Sequence, residues 1–410
     1  MLKNDNRQAG RSGLGRMAKV AAAVSTTLVF SSACDGGLFT AVNPGAITED
    51  GLDTPAAQNA LVVGVVGEYN NAYDAVVFYS GILSDELLGG DTSEPLHAAS
   101  RRGEIMNFPG AGSRMVPGSL WNPLHSARFL ADETYERLTQ HVDNPATDHR
   151  VALVRAYGGL TYLNIAELFC EAAYNGGPAV SVAESYQMAE ARLSEAVTIA
   201  QAAGVDSVAQ FALLQRARVR LATGDLDGAL ADAEGVSEGF FWRAHYRNAA
   251  GEENLVFNFV NINAFGTVDE PFRRLDDSRV PVDSTGAFAP DGNTPRWDQL
   301  KYPDRGSDMP LAKWQDARLI AAEILLERGE VEPAIERINQ VRAAADLTPI
   351  ASDLSLGEAV EALRYERKVE LFLEGPHRFV DMRRWGLIQD GWATCVPIPY
   401  TEIQDNPNFG

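Results

Sequence analysis

The spacing of apolar residues predicts a chain built mainly of α-helices. Apolar residues occur on all sides of the stretch from Ala56 to Leu88, which indicates one or two buried helices. Between Trp121 and Val142 they fall on one broad face, as in an amphipathic helix. Two further helices are predicted, from Arg150 to Tyr174 and from Tyr186 to Ala203, and glycine soon follows each of them.

An internal repeat indicates how these helices are arranged. Residues 211–236 and 317–341 align around similar turns, Gly224-Asp225-Leu226 and Gly329-Glu330-Val331. Small or apolar residues hold equal offsets from the two turns in the pairs Ala217/Ala322, Leu221/Leu326, Ala229/Ala334 and Val236/Val341. This is the tetratricopeptide (TPR) pattern, and one such hairpin cannot bury its apolar face alone. We therefore predict a mostly α fold whose TPR-like hairpins form a right-handed superhelical scaffold, at about 150–203, 207–236, 312–345 and 357–385.

Residues 237–310 separate the two repeats and have a different character. Prolines recur through this span, and Glu253 to Asn263 alternates apolar and polar residues as a β-strand does. A loop-rich insertion of this length is uncommon unless it is functional. We predict that it contains short strands and contributes to a binding site.

The insertion is also rich in aromatic residues. Exposed rings on loops offer platforms for sugar faces or peptide side chains, but the same rings could instead pack the insertion onto the helices. Four of them have polar neighbours in sequence that could complete a site. The candidate ligand-binding residues are Trp242, Tyr246, Trp297 and Tyr302.

The first thirty-three residues resemble an export signal rather than part of the fold. Five cations between Lys3 and Lys19 precede the apolar stretch Val20–Phe30, which is too short to span a bilayer. Small residues at 31–33 precede Cys34, so the segment resembles a lipobox in which Cys34 is lipidated. Ser31 departs from the usual leucine, and ordinary secretion is the alternative. Residues 34–55 are then a tether to the membrane, and 56–410 form one domain.

Charge and motif content exclude several classes of function. The formal net charge is −21, and removing residues 1–33, which hold five cations and one anion, makes it −21 − 5 + 1 = −25. Such an acidic chain does not suit nucleic-acid binding. The sequence contains no HExxH, GxSxG, P-loop or dinucleotide motif. We therefore predict no catalytic residue, no metal site and no cofactor.

Two cysteines remain after Cys34, and their spacing does not match a metal site. Cys170 and Cys395 are either buried thiols or partners in one long-range disulfide. An oxidising compartment outside the cytoplasm favours the disulfide.

The C-terminal region resembles a known family. Leu363–Gly386, LRYERKVELFLEGPHRFVDMRRWG, is similar to the signature of the SusD/RagB lipoproteins. Val396–Phe409, VPIPYTEIQDNPNF, resembles the closing segment of that family. Lys301-Tyr302, followed by SDMPLAKWQDARLIAAEILLERG, resembles its third TPR hairpin and the loop before it.

The resemblance implies a function that the residues alone do not show. Members of this family lie on the cell surface as lids on SusC-like TonB-dependent barrels, to which they deliver oligosaccharides or sometimes peptides. We therefore expect a non-enzymatic, lipid-anchored nutrient-binding protein of the outer membrane that faces the cell exterior. The alternatives are a TPR adaptor for envelope protein assembly and a surface glycoside hydrolase.

The residues of the signature predict a structural role. Glu366, Glu370 and Glu374 are spaced at i, i+4 and i+8, as on one stripe of a helix. We expect them to pair with nearby cations such as Arg367, Lys368 and Arg378. Further along, Asp381, Arg383, Arg384 and Trp385 are predicted to fix the last helix to the scaffold.

Overall fold

The computed structural model describes residues 49–90 and 116–409. The predicted signal peptide, the lipidation residue Cys34 and most of the predicted tether lie outside these residues. Glu49–Leu52 form a short helix, α1, which belongs to a different unit from the residues that begin at Asp53. This second unit is mostly helical with a few short strands, which confirms the predicted fold class.

The described part of the second unit contains helices that pack in sequence order. They are α2 (Pro55–Leu83), α3 (Val116–His141), α4 (His149–Leu168), α5 (Val182–Ala202), α6 (Asp206–Thr223), α7 (Leu226–Glu234), α8 (Leu255–Phe257), α9 (Trp314–Glu327), α10 (Val331–Ala344), α11 (Leu356–Glu370), α12 (His377–Arg384) and α13 (Tyr400–Asp405). From α2 to α7 each helix packs against the next. Helix α9 then packs against α7, α10 and α11, so the series continues across the insertion.

The turns of the two repeats explain why the helices reverse where they do. Gly224 and Gly329 have φ angles of 85° and 76°, a left-handed conformation that glycine adopts without steric cost. All eight of the aligned small or apolar residues are buried. The repeat therefore correctly identified both the turns and the positions where paired helices meet.

Some helix boundaries differ from the sequence prediction for reasons of local chemistry. Helix α4 ends at Leu168 rather than Tyr174 because the chain then enters a strand. Helix α5 begins at Val182 rather than Tyr186 because Ser181 and Glu184 form a capping box, which satisfies free N–H groups of the first turn.

The described strands form four two-stranded antiparallel sheets. Their strands are β1 (Leu87–Gly89), β2 (Glu171–Ala173), β3 (Ala179–Ser181), β4 (Phe241–Ala244), β5 (Gly266–Val268), β6 (Val282–Phe288), β7 (Pro295–Gln299) and β8 (Met309–Lys313). The pairs are β1 with β5, β2 with β3, β4 with β8, and β6 with β7. The sheets β1–β5 and β4–β8 join the insertion to the helical scaffold.

The predicted strand from Glu253 to Asn263 is wrong. This segment forms α8 and then a π-helical turn, Asn258–Ile262. Asn254 caps the helix, because its side chain accepts a hydrogen bond from the N–H of Phe257. Val256 and Val260 are both fully buried, so the i, i+4 spacing determined the structure although the residues also alternate.

Cys170 and Cys395 form a disulfide that fastens the C-terminal strap, residues 386–409, to the end of α4. The bond joins residues 225 positions apart. Beside it, the N–H of Cys170 donates to the carbonyl of Val396 at 2.9 Å, and the N–H of Val396 donates to that of Leu168 at 2.7 Å. The strap is therefore held covalently and by backbone hydrogen bonds at the same point.

Three buried carboxylates, Glu366, Glu370 and Glu374, form a line that we call the carboxylate row. Helix α11 ends at Glu370, so Glu374 lies in the turn beyond it and not on the predicted helix stripe. Neighbouring members of the row share a cation. Arg279 contacts Glu366 at 2.7 Å and Glu370 at 3.3 Å, and Lys313 contacts Glu370 at 2.9 Å and Glu374 at 2.8 Å.

Each end of the carboxylate row has one further cation. Arg342 of α10 pairs with Glu366, and Lys301 of the insertion pairs with Glu374 at 2.6 Å. Buried charges are tolerated only when they are paired and hydrogen-bonded. The row therefore links α11 to α10, to β8 and to two points of the insertion.

Ion pairing of these glutamates was predicted, but the predicted partners are wrong. Arg367 instead pairs with Asp381 at 2.7 Å, Arg378 pairs with Asp85 at 2.6 Å, and Lys368 donates to a backbone carbonyl. Residues one or two positions after a glutamate point to another face of the helix, so they cannot share its environment. Residues that follow Glu374 lie beyond the break in the helix.

We expect the Glu374→Gln variant to be strongly destabilised. The substitution removes the anion shared by Lys301 and Lys313, and loss of one partner of a buried ion pair costs about 3–5 kcal/mol. Urea unfolding of the wild type and the variant measures the difference. The matched control is Glu361→Gln on α11, whose side chain is 71% exposed and pairs with Arg364. It should change the free energy of unfolding by less than about 1 kcal/mol, and equal losses in the two variants would contradict the role of the row.

Candidate functional site

A cleft of about 520 Å³ opens between α2, the start of α3 and residues 251–259 of the insertion. Its volume lies within the range of about 300–1,000 Å³ that is typical of small-molecule sites. We call it the α2 cleft. It is lined by Asn71, Asp74, Ala75, Tyr79, Ser119, Pro123, Gly251, Glu253, Leu255, Asn258 and Phe259.

Two aromatic rings of the α2 cleft are fixed by contacts with their neighbours. Phe78 packs edge-on against Tyr79, with ring centroids 5.2 Å apart, and against Phe259 at 4.9 Å. Phe259 also packs against Phe265 at 5.2 Å. These contacts hold apolar ring surface in place beside the opening before any ligand binds.

Amide and carboxylate groups stand beside the rings. Asn258 donates from Nδ2 to Oε2 of Glu253 at 3.4 Å, and its Oδ1 accepts from Nε of Arg305 at 2.9 Å. Glu253 also lies 3.6 Å from Nε of Arg305. Asn71 is exposed on the α2 side of the cleft. Amides both donate and accept hydrogen bonds, so this edge suits a ligand that carries hydroxyl groups.

One buried acid, Asp74, also lines the α2 cleft. Its Oδ2 accepts a hydrogen bond from the N–H of Leu255 at 3.2 Å, which ties the insertion to α2. Burial raises the pKa of Asp74 to about 8, although hydrogen bonds from backbone N–H groups act in the opposite direction. The carboxyl group is therefore mostly protonated at pH 7.

Tyr246 and Tyr302, two of the four predicted ligand-binding residues, belong to the core. They are only 6% and 2% exposed. The hydroxyl of Tyr246 donates to the carbonyl of Asn70 at 2.8 Å, and that of Tyr302 donates to the carbonyl of Leu373 at 2.7 Å. Neither ring lines the α2 cleft. The reason is that each hydroxyl has a backbone acceptor inside the protein, so the ring can be buried without loss of a hydrogen bond.

The other two predicted residues, Trp242 and Trp297, are half-buried and also lie outside the lining of the α2 cleft. The indole of Trp242 stacks on Phe211 with ring centroids 5.0 Å apart, and its Nε1 donates to the hydroxyl of Tyr157 at 3.1 Å. Trp297 packs against the main core, and its N–H donates to Oγ1 of Thr267 at 2.7 Å. The structure therefore does not bring the four aromatic residues together at one opening.

Sequence reasoning missed the contribution of α2 to the cleft. The apolar residues on all sides of this helix indicated a buried element, and the predicted ligand-binding residues therefore included none of its polar residues. The available signal was the group Asn70, Asn71 and Asp74 within an otherwise apolar helix. Polar residues at such positions need a hydrogen-bond partner or an opening to solvent.

No helix in residues 49–90 or 116–409 is long and apolar enough to cross a membrane. In those same residues, no group of three or more His, Cys, Asp or Glu side chains is arranged to hold a metal ion.

The pKa of Asp74 predicts that stability falls as the pH rises. The folded-state pKa of about 8 lies above the ordinary value of 3.8, so the stabilising effect is fully present below about pH 4 and is lost as the pH approaches 8. Burial also raises the pKa of Glu86 to about 8, and this group acts in the same direction. Between pH 6 and 8 each group should lower the free energy of unfolding by up to about 1.4 kcal/mol per pH unit.

Urea unfolding at pH 6, 7 and 8 tests this prediction. Asp74→Asn keeps an acceptor for the N–H of Leu255 and should remove part of the fall. The control Asp227→Asn, at a side chain that is 95% exposed, should keep the wild-type pH dependence. A wild-type stability that does not change over this range would show that neither Asp74 nor Glu86 is protonated in the folded state.

Comparisons with known proteins identify the fold. Residues 302–395 match the sequence model of the SusD family. A SusD-like protein from Bacteroides fragilis is similar in structure, with a TM-score of 0.68 and 14% identity, and the alignment covers 89% of this chain and 98% of that one. A SusD homolog from Bacteroides thetaiotaomicron has a TM-score of 0.68 at 15% identity, over 87% of this chain and 97% of that one.

A third structure is described as a SusD-like carbohydrate-binding protein from Bacteroides vulgatus. Its TM-score is 0.57 at 16% identity, and the alignment covers 80% of this chain and 82% of that one. Among curated proteins the search found no match. Residues 302–395 thus match the sequence pattern of the SusD family, and most of the chain has a fold similar to that of SusD-like proteins.

Proposed function

We propose that this chain is a non-enzymatic surface lipoprotein that binds an oligosaccharide in the α2 cleft and delivers it to a SusC-like TonB-dependent barrel. The observation that carries the proposal is a cleft with fixed aromatic rings on one side and amide and carboxylate groups on the other. In this proposal residues 1–33 are a signal peptide, Cys34 carries the lipid, and residues 34–55 tether the protein to the outer face of the outer membrane.

The chemistry of the α2 cleft suits a sugar. The C–H face of a sugar ring can rest on Tyr79 or Phe259, and its hydroxyls can exchange hydrogen bonds with Asn71, Asn258 and Glu253. The related Bacteroides vulgatus structure is described as carbohydrate-binding, and its fold is the same. A peptide is the second ligand class, because the same rings also accept apolar side chains.

The packing of α12 supports ligand binding over a TPR adaptor. An adaptor needs open helix faces for a partner, but α12 covers faces of α9 and α11. Arg384 of α12 pairs with Glu323 of α9 at 2.9 Å, and Asp381 pairs with Arg367 of α11 at 2.7 Å. Phe379, on the same helix α12, is fully buried. The chain itself thus occupies a surface that an adaptor would offer to other proteins.

Glycoside hydrolysis is a second candidate because two carboxyl groups line the α2 cleft. Asp74 is protonated near neutral pH, and Glu253 lies beside Arg305. Hydrolysis needs one proton donor and one ionised carboxylate on opposite sides of the bond. Asp74, however, is buried and binds the N–H of Leu255, which favours a structural role. The hydrolase predicts shortened oligosaccharides after incubation and loss of that activity in Glu253→Gln.

We expect purified protein to bind a subset of oligosaccharides on an array that also carries short peptides. For the tightest oligosaccharide, isothermal titration calorimetry should show that Asn71→Ala weakens binding by about three- to tenfold, the cost of one hydrogen bond. Asn293→Ala, at an exposed asparagine of the β6–β7 turn outside the cleft, is the matched control and should bind as the wild type does. Binding of peptides alone, or equal binding by both variants and the wild type, would contradict the proposed ligand or the proposed site.

We also expect the tagged full-length protein to co-purify with a TonB-dependent barrel from detergent-solubilised membranes of its host. Cys34→Ala should remove the lipid and release the protein from the membrane fraction. Mass spectrometry of the purified complex identifies the partner. Recovery of periplasmic assembly factors in place of a barrel would favour the adaptor.

A further inference from the structure

A second cleft, of about 370 Å³, lies beside the disulfide and shares no lining residue with the α2 cleft. We call it the strap cleft, because Thr394 and Cys395 of the C-terminal strap form part of its wall. Phe169 and Val182 contribute apolar surface from the end of α4 and the start of α5. Its volume is also within the range of about 300–1,000 Å³ typical of small-molecule sites.

The strap cleft contains a cation that has no acidic partner. Arg383, in the last turn of α12, donates from Nη1 to the carbonyls of Glu167 at 3.0 Å and Thr394 at 3.4 Å. No carboxylate of the described residues lies within 4.0 Å of its guanidinium, whereas the adjacent Arg384 pairs with both Glu323 and Asp381. Arg383 therefore keeps N–H donors that no acid of the described residues occupies, and the planar guanidinium group matches the geometry of a carboxylate.

The same cleft is lined by a tyrosine whose hydroxyl has no hydrogen-bond partner in the described residues. Tyr186 is only 6% exposed, and within residues 49–90 and 116–409 its hydroxyl has no hydrogen bond. Other buried tyrosines do have one: Tyr73 donates to the carbonyl of Pro310 at 2.5 Å, and Tyr246 and Tyr302 donate to carbonyls of other segments. A hydroxyl that lines an opening and has no acceptor within the protein can donate to a bound ligand. Burial raises the pKa of Tyr186 to about 12, so its hydroxyl is a donor at neutral pH.

These two hydrogen-bond donors lie in a cleft with apolar walls, and together they indicate the chemistry of a ligand that would bind there. An arginine side chain presents paired N–H groups that match the two oxygens of a carboxylate, and a tyrosine hydroxyl can add a third hydrogen bond. Phe169, Val182 and the disulfide would contact the body of the ligand. We propose that the strap cleft is a second binding site, independent of the α2 cleft, for a small carboxylate about the size of a monosaccharide or an amino acid.

Isothermal titration calorimetry with the full-length, disulfide-bonded protein tests this proposal. The probe is D-glucuronate, and D-glucose serves as the same ring without the carboxylate. Glucuronate should bind at least about tenfold more tightly than glucose, because a charge-assisted bidentate contact is lost in glucose. Arg383→Gln should weaken glucuronate binding by at least about tenfold, Arg383→Lys should recover part of it, and Tyr186→Phe should weaken it by about three- to tenfold.

Control variants separate this site from a general charge effect and from the α2 cleft. Arg243→Gln removes an arginine that is 52% exposed and outside the strap cleft, so it should leave glucuronate binding unchanged. Asn71→Ala should also leave it unchanged, because Asn71 lines only the α2 cleft. Thermal unfolding of every variant checks that the strap remains folded.

Three results would overturn the proposal. One is equal binding of glucose and glucuronate, and another is glucuronate binding that persists in a folded Arg383→Gln variant. The third is tighter binding of inorganic phosphate than of glucuronate with the same dependence on Arg383. That result would establish an anion site but would exclude a carboxylate as its ligand class.

Discussion

The carboxylate row is the interaction on which the arrangement of the other elements depends. Its three members are buried and joined through shared cations, so each charge is stable only while its neighbours are present. Its cations come from different parts of the chain, and Lys301 and Glu374 are 73 residues apart. Non-helical segments have few internal contacts that fix their position. In this protein the carboxylate row fixes the insertion in place, because its ion pairs join the insertion to α11, a helix of the stacked scaffold.

The α2 cleft results from this fastening. Further hydrogen bonds attach the insertion to α2. Tyr246 donates to the carbonyl of Asn70, and Asp74 accepts from the N–H of Leu255. The aromatic residues that the sequence predicted to bind a ligand therefore mainly attach the insertion to the helices. Their contribution to the α2 cleft is indirect, since they place the segment that carries Asn258 and Phe259 opposite α2. A site built from two separate elements needs such contacts to keep the width of its opening constant.

Local patterns in the sequence predicted the parts of the fold that depend on local interactions. Turn glycines, small residues at helix crossings and the i, i+4 spacing of Glu366 and Glu370 could all be recognised, because each reflects neighbours within one or two turns of helix. The partners of the carboxylate row could not, since Arg279 and Lys301 approach only in the folded chain. The wrong strand prediction at 253–263 had a related cause. These residues alternate apolar and polar side chains, but their apolar side chains also repeat at i, i+4. Only the buried setting of Val256 and Val260 favours the helix. The sequence also did not predict the α2 cleft, because residues 251–259 meet α2 only in the folded chain.

The α2 cleft and the strap cleft follow one rule of construction. Each forms where a segment outside the stacked helices is fixed against them, by the carboxylate row and its extensions at the α2 cleft and by the disulfide at the strap cleft. Stacked helices bury most of their polar backbone in their own hydrogen bonds, so they offer regular surfaces but few irregular openings. Segments without regular structure have free side chains and can be varied without loss of the core. A scaffold of this kind can therefore keep its helices and change its ligand through the insertion and the strap, provided that their points of attachment are retained.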